Sequence, residues 1–409
     1  MQMPISKIPK VSYLIALLVA VSANAAAQSG TAIMITQYPT PSATGFTSDI
    51  TAGPDGALWF TETAGNNIGR VTTDGAVTEY PLQTPNSTPT GIAAGSDGAL
   101  WFTEQGANQI GRITATGAIT EYDIPSAESD PVGIAAGPDG ALWFTEFAAN
   151  KIGRITTTGQ FTEYPLANNG NPGGITAGPD GALWFTEQDD YMIGRITTAG
   201  LITEFQLPSG SYPDGITAGP DAALWFAEFG SNQIGRITTA GVITQYHVSS
   251  APYWIAAAPD GALWFTERLV NKIGRITTGG VVTEYPAHST PDGITAGPDG
   301  ALWMVDEVTG ITRAPACGLG FSASFAGTTL TMNFNLGIDT PATFNILLED
   351  ASGTQRPFSK AIPAVVPTHA FTMTWSSFPN LGTVTVIPGL ISAPGQPLCA
   401  EWTTVNTAQ

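Results

Sequence analysis

The sequence predicts an all-β protein: a seven-bladed β-propeller closed by an N-terminal strand and followed by a small C-terminal β-sandwich. Three observations carry this. The string "ALWF", or a near variant, places tryptophans at Trp59, Trp101, Trp143, Trp184, Trp225, Trp264 and Trp303, spaced by 42, 42, 41, 41, 39 and 39 residues. Self-similarity at a fixed period of this size marks a propeller or solenoid. Each unit also contains four short strand-like runs separated by turn residues. Finally, the seventh unit lacks a fourth run, and the chain's start supplies a spare one.

Taken in order, residues 1–27 read as a signal peptide. Lys7 and Lys10 precede the apolar run "VSYLIALLVAV" (11–21), and the small residues "SANAAAQ" follow. That is a charged segment, an apolar segment too short to span a bilayer, and an A-x-A cleavage site. The expectation is export to the periplasm or the extracellular space, with no membrane span after cleavage.

The propeller occupies 32–314. Its first strand, "IMITQYP" (33–39), matches the "ITEYP" run that ends other units, so it should complete the seventh blade and leave no open edge. In most units "GITAG" and "ALWFTE" are joined by "PDG", a turn tripeptide, and "IGRIT" and "TEYP" or their equivalents supply strands three and four. In "ALWFTE" leucine and phenylalanine point to one side and tryptophan to the other. A strand apolar on both faces is packed on both faces, as in a blade between two others. Residues 317–409 change character, with strand-like runs at 329–336, 342–350, 369–378 and 382–389. A sandwich there would serve attachment or recognition. Cys317 and Cys399 are the only cysteines, and in an oxidising compartment such a pair forms a disulfide. Closing a loop of that length stabilises by about 4–5 kcal/mol on a chain-entropy account.

Composition narrows the function. The chain has 33 acidic and 14 basic residues, a net charge of −19. A phosphate backbone requires clustered lysine and arginine, so nucleic acid is excluded as a partner. Acidity favours cationic ligands or divalent metals such as Mg²⁺ or Ca²⁺. A monomer is expected.

Two residue classes recur in every unit: acids (Glu62, Glu104, Glu146, Glu187, Glu228, Glu267, Asp306) and arginines (Arg70, Arg112, Arg154, Arg195, Arg236, Arg275, Arg313). A single small ligand has no sevenfold symmetry, so these rings read as a structural ion pair or hydrogen bond repeated in every blade. A ligand site belongs where the repeat is broken. Two variable rings should emerge on one face of the propeller. One is x in "PxGI": Ser48, Thr90, Val132, Gly173, Asp214, Tyr253 and Asp292. The other follows the ring acid: Thr63, Gln105, Phe147, Gln188, Phe229, Arg268 and Glu307. From these, Asp214, Tyr253, Trp254, Arg268, Phe147, Phe229 and Gln188 are the expected ligand contacts, for a small molecule, a peptide or a protein partner. Trp254 stands where most other units have glycine, and could stack on a ligand or plug the channel. Asp189 and Asp190 read as a solvated loop tip. Asp292 and Glu307 are the best pair of converging carboxylates, able to hold a hard divalent cation or act in acid–base chemistry, with His288 as a nearby base.

The repeat resembles the streptogramin B lyase (virginiamycin B lyase) family. "GITAGPDGALWFTE" (174–187) and "NKIGRIT" (271–277) carry the resemblance, which spans about 33–313 and is more distantly similar to NHL-type propellers. The resemblance implies Mg²⁺-assisted elimination that linearises a cyclic depsipeptide at its ester bond. It also implies a histidine in "PHGI" of the last blade, an acid just before it, a glutamate after that blade's tryptophan strand, and a histidine in the preceding blade. Glu307 matches the glutamate. Asp292, Thr290 and Tyr253 stand at the other three positions. The resemblance therefore implies the scaffold, while the residues at its catalytic positions imply ligand binding without the family's lyase chemistry. A metal-dependent carbon–oxygen lyase or lactone-opening hydrolase using Asp292, Glu307 and His288 is the alternative, and a protein-binding scaffold a further one.

Overall fold

A computed structural model describes residues 35–42, 46–287, 289–306 and 310–315, together with the backbone of seven strands between 320 and 406. Six four-stranded antiparallel blades run in chain order over 47–81, 89–123, 131–165, 172–206, 213–247 and 255–286. The seventh combines Pro291–Ala296, Ala301–Asp306 and Gly310–Pro315 with the N-terminal strand Thr36–Tyr38. Tyr38 lies opposite Ile311 and stacks on Trp303 at 5.4 Å, as Tyr80 stacks on Trp59 at 5.5 Å within blade 1. The closing strand thus reproduces the fourth-strand chemistry of the other blades.

The core lies between blades. Trp59 and Ile68 of blade 1 pack with Ile92, Leu100, Phe102 and Ile113 of blade 2, and equivalent clusters recur around the ring. All seven tryptophans are fully buried, which explains why their strand is apolar on both faces. The glycine of "IGR" is required by this packing. A Cβ on Gly153 would lie 2.1 Å from Phe144 Cζ, far inside contact distance.

The ion pair repeats in every blade, as the uniform rings imply, but the arginine's partner is the "PDG" aspartate rather than the ring acid. In blade 3, Trp143 Nε1 donates to Asp139 Oδ1 at 3.1 Å and Arg154 Nε donates to Oδ2 at 2.7 Å. The same pair joins Asp55 to Arg70, Asp97 to Arg112, Asp180 to Arg195, Asp221 to Arg236, Asp260 to Arg275 and Asp299 to Arg313. Register explains the choice. Arg154 lies across from Trp143 beside the turn, whereas Glu146 lies across from Lys151 at the far end of the same strands.

After the propeller the backbone forms one sheet of Gly320–Ala326, Thr329–Leu336 and His369–Trp375, and another of Gln355–Ile362, Ala342–Glu349, Thr383–Ser392 and Thr403–Asn406. The strands at 320–326, 355–362 and 403–406 were not anticipated from the sequence. Residues 1–27, Cys317 and Cys399 lie outside the described residues. Among the described residues no helix is long and apolar enough to cross a membrane.

Candidate functional site

The innermost strand of most blades carries a β-bulge between the proline and the isoleucine of "PxGI". Bulges re-aim side chains, and here the affected residue is x. The threonine of "WFTE" secures the bulge. Thr103 Oγ1 accepts from Gly91 N at 2.9 Å and donates to Val132 O of the next blade at 2.7 Å. Thr145 and Thr186 do the same in blades 3 and 4. The glycine keeps neighbouring innermost strands close: a Cβ on Gly91 would lie 2.4 Å from Val132 O.

Most residues of the two variable rings line one cavity of about 430 Å³ at the end of the central channel. Of the residues expected at a ligand site, Asp214, Tyr253, Trp254, Arg268, Phe147, Gln188 and Asp292 stand in its wall. Phe229 is not in the wall but packs edge-on against Tyr253, at 6.3 Å and 73°. Tyr253 meets Trp254 edge-on at 6.4 Å, and the Arg268 guanidinium lies 5.3 Å from the Tyr253 ring centre. Asp189 is bonded instead to Asn171 in an exposed loop. His288 and Glu307 lie outside the described residues, and His247 is exposed at the end of an outer strand.

Three carboxyl groups around the channel are perturbed. Burial pushes Asp292 up to about 7 against the opposing Arg268 charge, with Asp214 and Asp49 adding to the rise. Burial likewise raises Asp214 to about 7, again opposed by Arg268. Asp49 is raised to about 7 by burial, although its carboxylate accepts from Ile50 N and Ile92 N at 2.8 and 3.0 Å. Tyr253 is pushed up by Asp214 first, then by burial and Asp292.

Asp49 was missed by sequence reasoning, yet its signal was present: "TSDI" puts aspartate where "PxGI" has glycine. A second missed signal concerns the threonine. Blades 5 and 7 replace it with Ala227 and Val305, and these are the blades whose x residues are Asp214 and Asp292. In blade 2 the corresponding Thr90 hydroxyl meets Thr103 Oγ1 at 2.8 Å. Asp292 has no such hydroxyl beside it. It is 6% exposed, and neither its Oδ1 nor the buried Trp254 Nε1 makes a hydrogen bond of good geometry, although the Trp254 indole lies close enough to Asp292 to oppose the rise.

A divalent metal needs several oxygen ligands. Among the described residues no three histidine, cysteine or acidic side chains gather at metal-binding separations, and Asp292 alone does not form such a site.

The sequence profile of the virginiamycin B lyase family matches residues 18–169 and 127–314. Among solved structures, virginiamycin B lyase from Staphylococcus aureus is 44% identical, covering 69% of this chain and 98% of its own, with a TM-score of 0.66. A streptogramin B lyase is 38% identical over 70% of this chain and 99% of its own, with a TM-score of 0.68. A catalytically inactive histidine-to-alanine variant of the Staphylococcus aureus enzyme with quinupristin is 42% identical, covering 69% and 99%, with a TM-score of 0.67. No curated protein sequence matches the chain significantly.

Proposed function

Because this chain belongs to the virginiamycin B lyase family over its propeller, we propose that it is an exported, monomeric member that binds a small-molecule or peptide ligand in the top-face cavity without the family's histidine chemistry. One observation carries the reading: most of the positions that break the repeat stand together in the cavity wall, with Asp214, Tyr253 and Asp292 rather than histidines among them. Such a mixture of aromatic and convergent polar groups is typical of ligand pockets. The Staphylococcus aureus relative is described as catalytically inactive after one histidine-to-alanine change. Here aspartate and tyrosine stand where the family resemblance places histidines.

The test is to incubate the mature protein with quinupristin and Mg²⁺ and follow linearisation by mass spectrometry, with binding read from the Trp254 indole resonance. Binding without linear product is the expected result. Linear product that disappears in Glu307→Ala would overturn it.

A second reading is favoured by Asp292 itself. A carboxyl group with a free oxygen, held at about 7, is suited to act as general base in opening an ester or lactone. Turnover that rises with an apparent pKa near 7 and is lost in Asp292→Asn would select it.

A further inference from the structure

The acid-rich wall of the cavity has an internal imbalance that specifies a ligand class. Asp130, Asp214 and Asp292 stand in that wall, Asp49 lies close enough to act on Asp292, and Arg268 is the cation acting on both Asp214 and Asp292. That guanidinium also lies over the Tyr253 ring. Even with it in place, Asp292 Oδ1 has no hydrogen bond in a residue only 6% exposed. A buried carboxylate oxygen left without a hydrogen bond is costly to ionise, and a cation that reaches it relieves that cost.

The sequence change that strands this oxygen is identifiable. In blade 2 a hydroxyl pair, Thr90 with Thr103, satisfies the equivalent side chain. In blade 7 the partner position is Val305, whose methyl would lie 3.2 Å from a Cβ placed on Gly293, beside Asp292. Blade 5 repeats the substitution, with Ala227 at the corresponding position of the blade that carries Asp214. Tyr253 belongs to blade 6, between these two blades, and forms an aromatic group with Phe229 and Trp254. Carboxylates flanking aromatic faces form a receptor for an organic cation, which gains from the charge and from the ring quadrupoles together.

We propose that Asp292 and Asp214, with Tyr253 between them, bind a protonated amine carried on an apolar body. The inference rests on the top-face ligand reading and gives its occupant a chemistry. A primary ammonium satisfies an unbonded carboxylate oxygen with one of its three N–H groups. The remaining cavity, with Phe147 and Trp254 in its wall, accommodates an aryl or alkyl group.

The experiment is calorimetric titration of the full chain at about pH 8 with 2-phenylethylammonium, its neutral isostere 2-phenylethanol and the anion phenylacetate, each repeated with Asp292→Asn and Asp214→Asn. The expected result is ammonium binding at least about tenfold tighter than the alcohol, with phenylacetate weakest. Asp292→Asn should bring the ammonium-to-alcohol ratio to about one and, by removing a buried charge at this pH, should not lower the melting temperature. Lowering the pH to about 5.5 should weaken ammonium binding by about tenfold or more, because Asp292 and Asp214, which face Arg268 and Tyr253, and the neighbouring Asp49 then hold protons. Equal affinity for ammonium and alcohol overturns the charge inference while leaving a top-face ligand site standing, and so does a preference that survives both variants. Failure of all three probes to bind also overturns it, and the site itself is then judged by the quinupristin titration. Should Asp292→Asn fold poorly, the Asp214→Asn ratio and the pH response decide.

Discussion

Glu146 gives the sharpest test of how buried charge is handled in this ring. Its side chain is fully buried and neither carboxyl oxygen has a hydrogen-bond partner. Burial raises it from an ordinary 4.5 to about 7, Glu163 adds to the rise and Lys151 opposes it. Between those values the unfolded chain has released its proton while the folded chain retains it, so stability falls as pH rises through this window. The gap corresponds to about 3 kcal/mol, fully expressed above about pH 7 and absent below 4.5. Glu146→Gln resembles the protonated form and carries no such penalty. The variant should melt with the wild type at about pH 4.5 and about 5 °C higher at about pH 8.5, allowing for the smaller temperature shift per kcal/mol in a large domain. Differential scanning calorimetry in parallel buffers decides it. An offset that is the same at both pH values, or a variant less stable at high pH, refutes the reasoning.

Two further outcomes follow from the same geometry. Tyr38→Ala removes the stack on Trp303 and should cost about 2 kcal/mol, with amide exchange accelerated at Ile311–Arg313 and unchanged in blade 3. Equal acceleration in both blades would show that the N-terminal strand is not the closure. Asp139→Ala leaves Trp143 Nε1 and Arg154 without their shared acceptor and should cost about 2 kcal/mol in urea unfolding. Burial notwithstanding, the hydrogen bonds from Trp143 and Arg154 hold the Asp139 carboxyl below its ordinary 3.8. Its contribution is therefore present above that value and lost as pH falls through its lower folded value, so the deficit should narrow in strong acid.

The chain's linear order determined the blade count, the four-strand unit and the closing strand. Each is a local pattern: a tryptophan period, a turn tripeptide, and an "ITQYP" run that duplicates "ITEYP". The face bearing the cavity was legible too, because symmetry confines a single ligand to positions where the repeat fails. Tertiary structure alone decided which acid the arginines bond. That depends on register, which sets Arg154 beside Trp143 and Asp139 rather than beside Glu146. It also decided that Asp292 holds an unbonded oxygen. The residue type is visible in "PDGI", but the absence of a hydroxyl partner is a property of Val305 on the neighbouring strand. A residue's identity is written along the chain, whereas its solvation is set by what the fold brings against it.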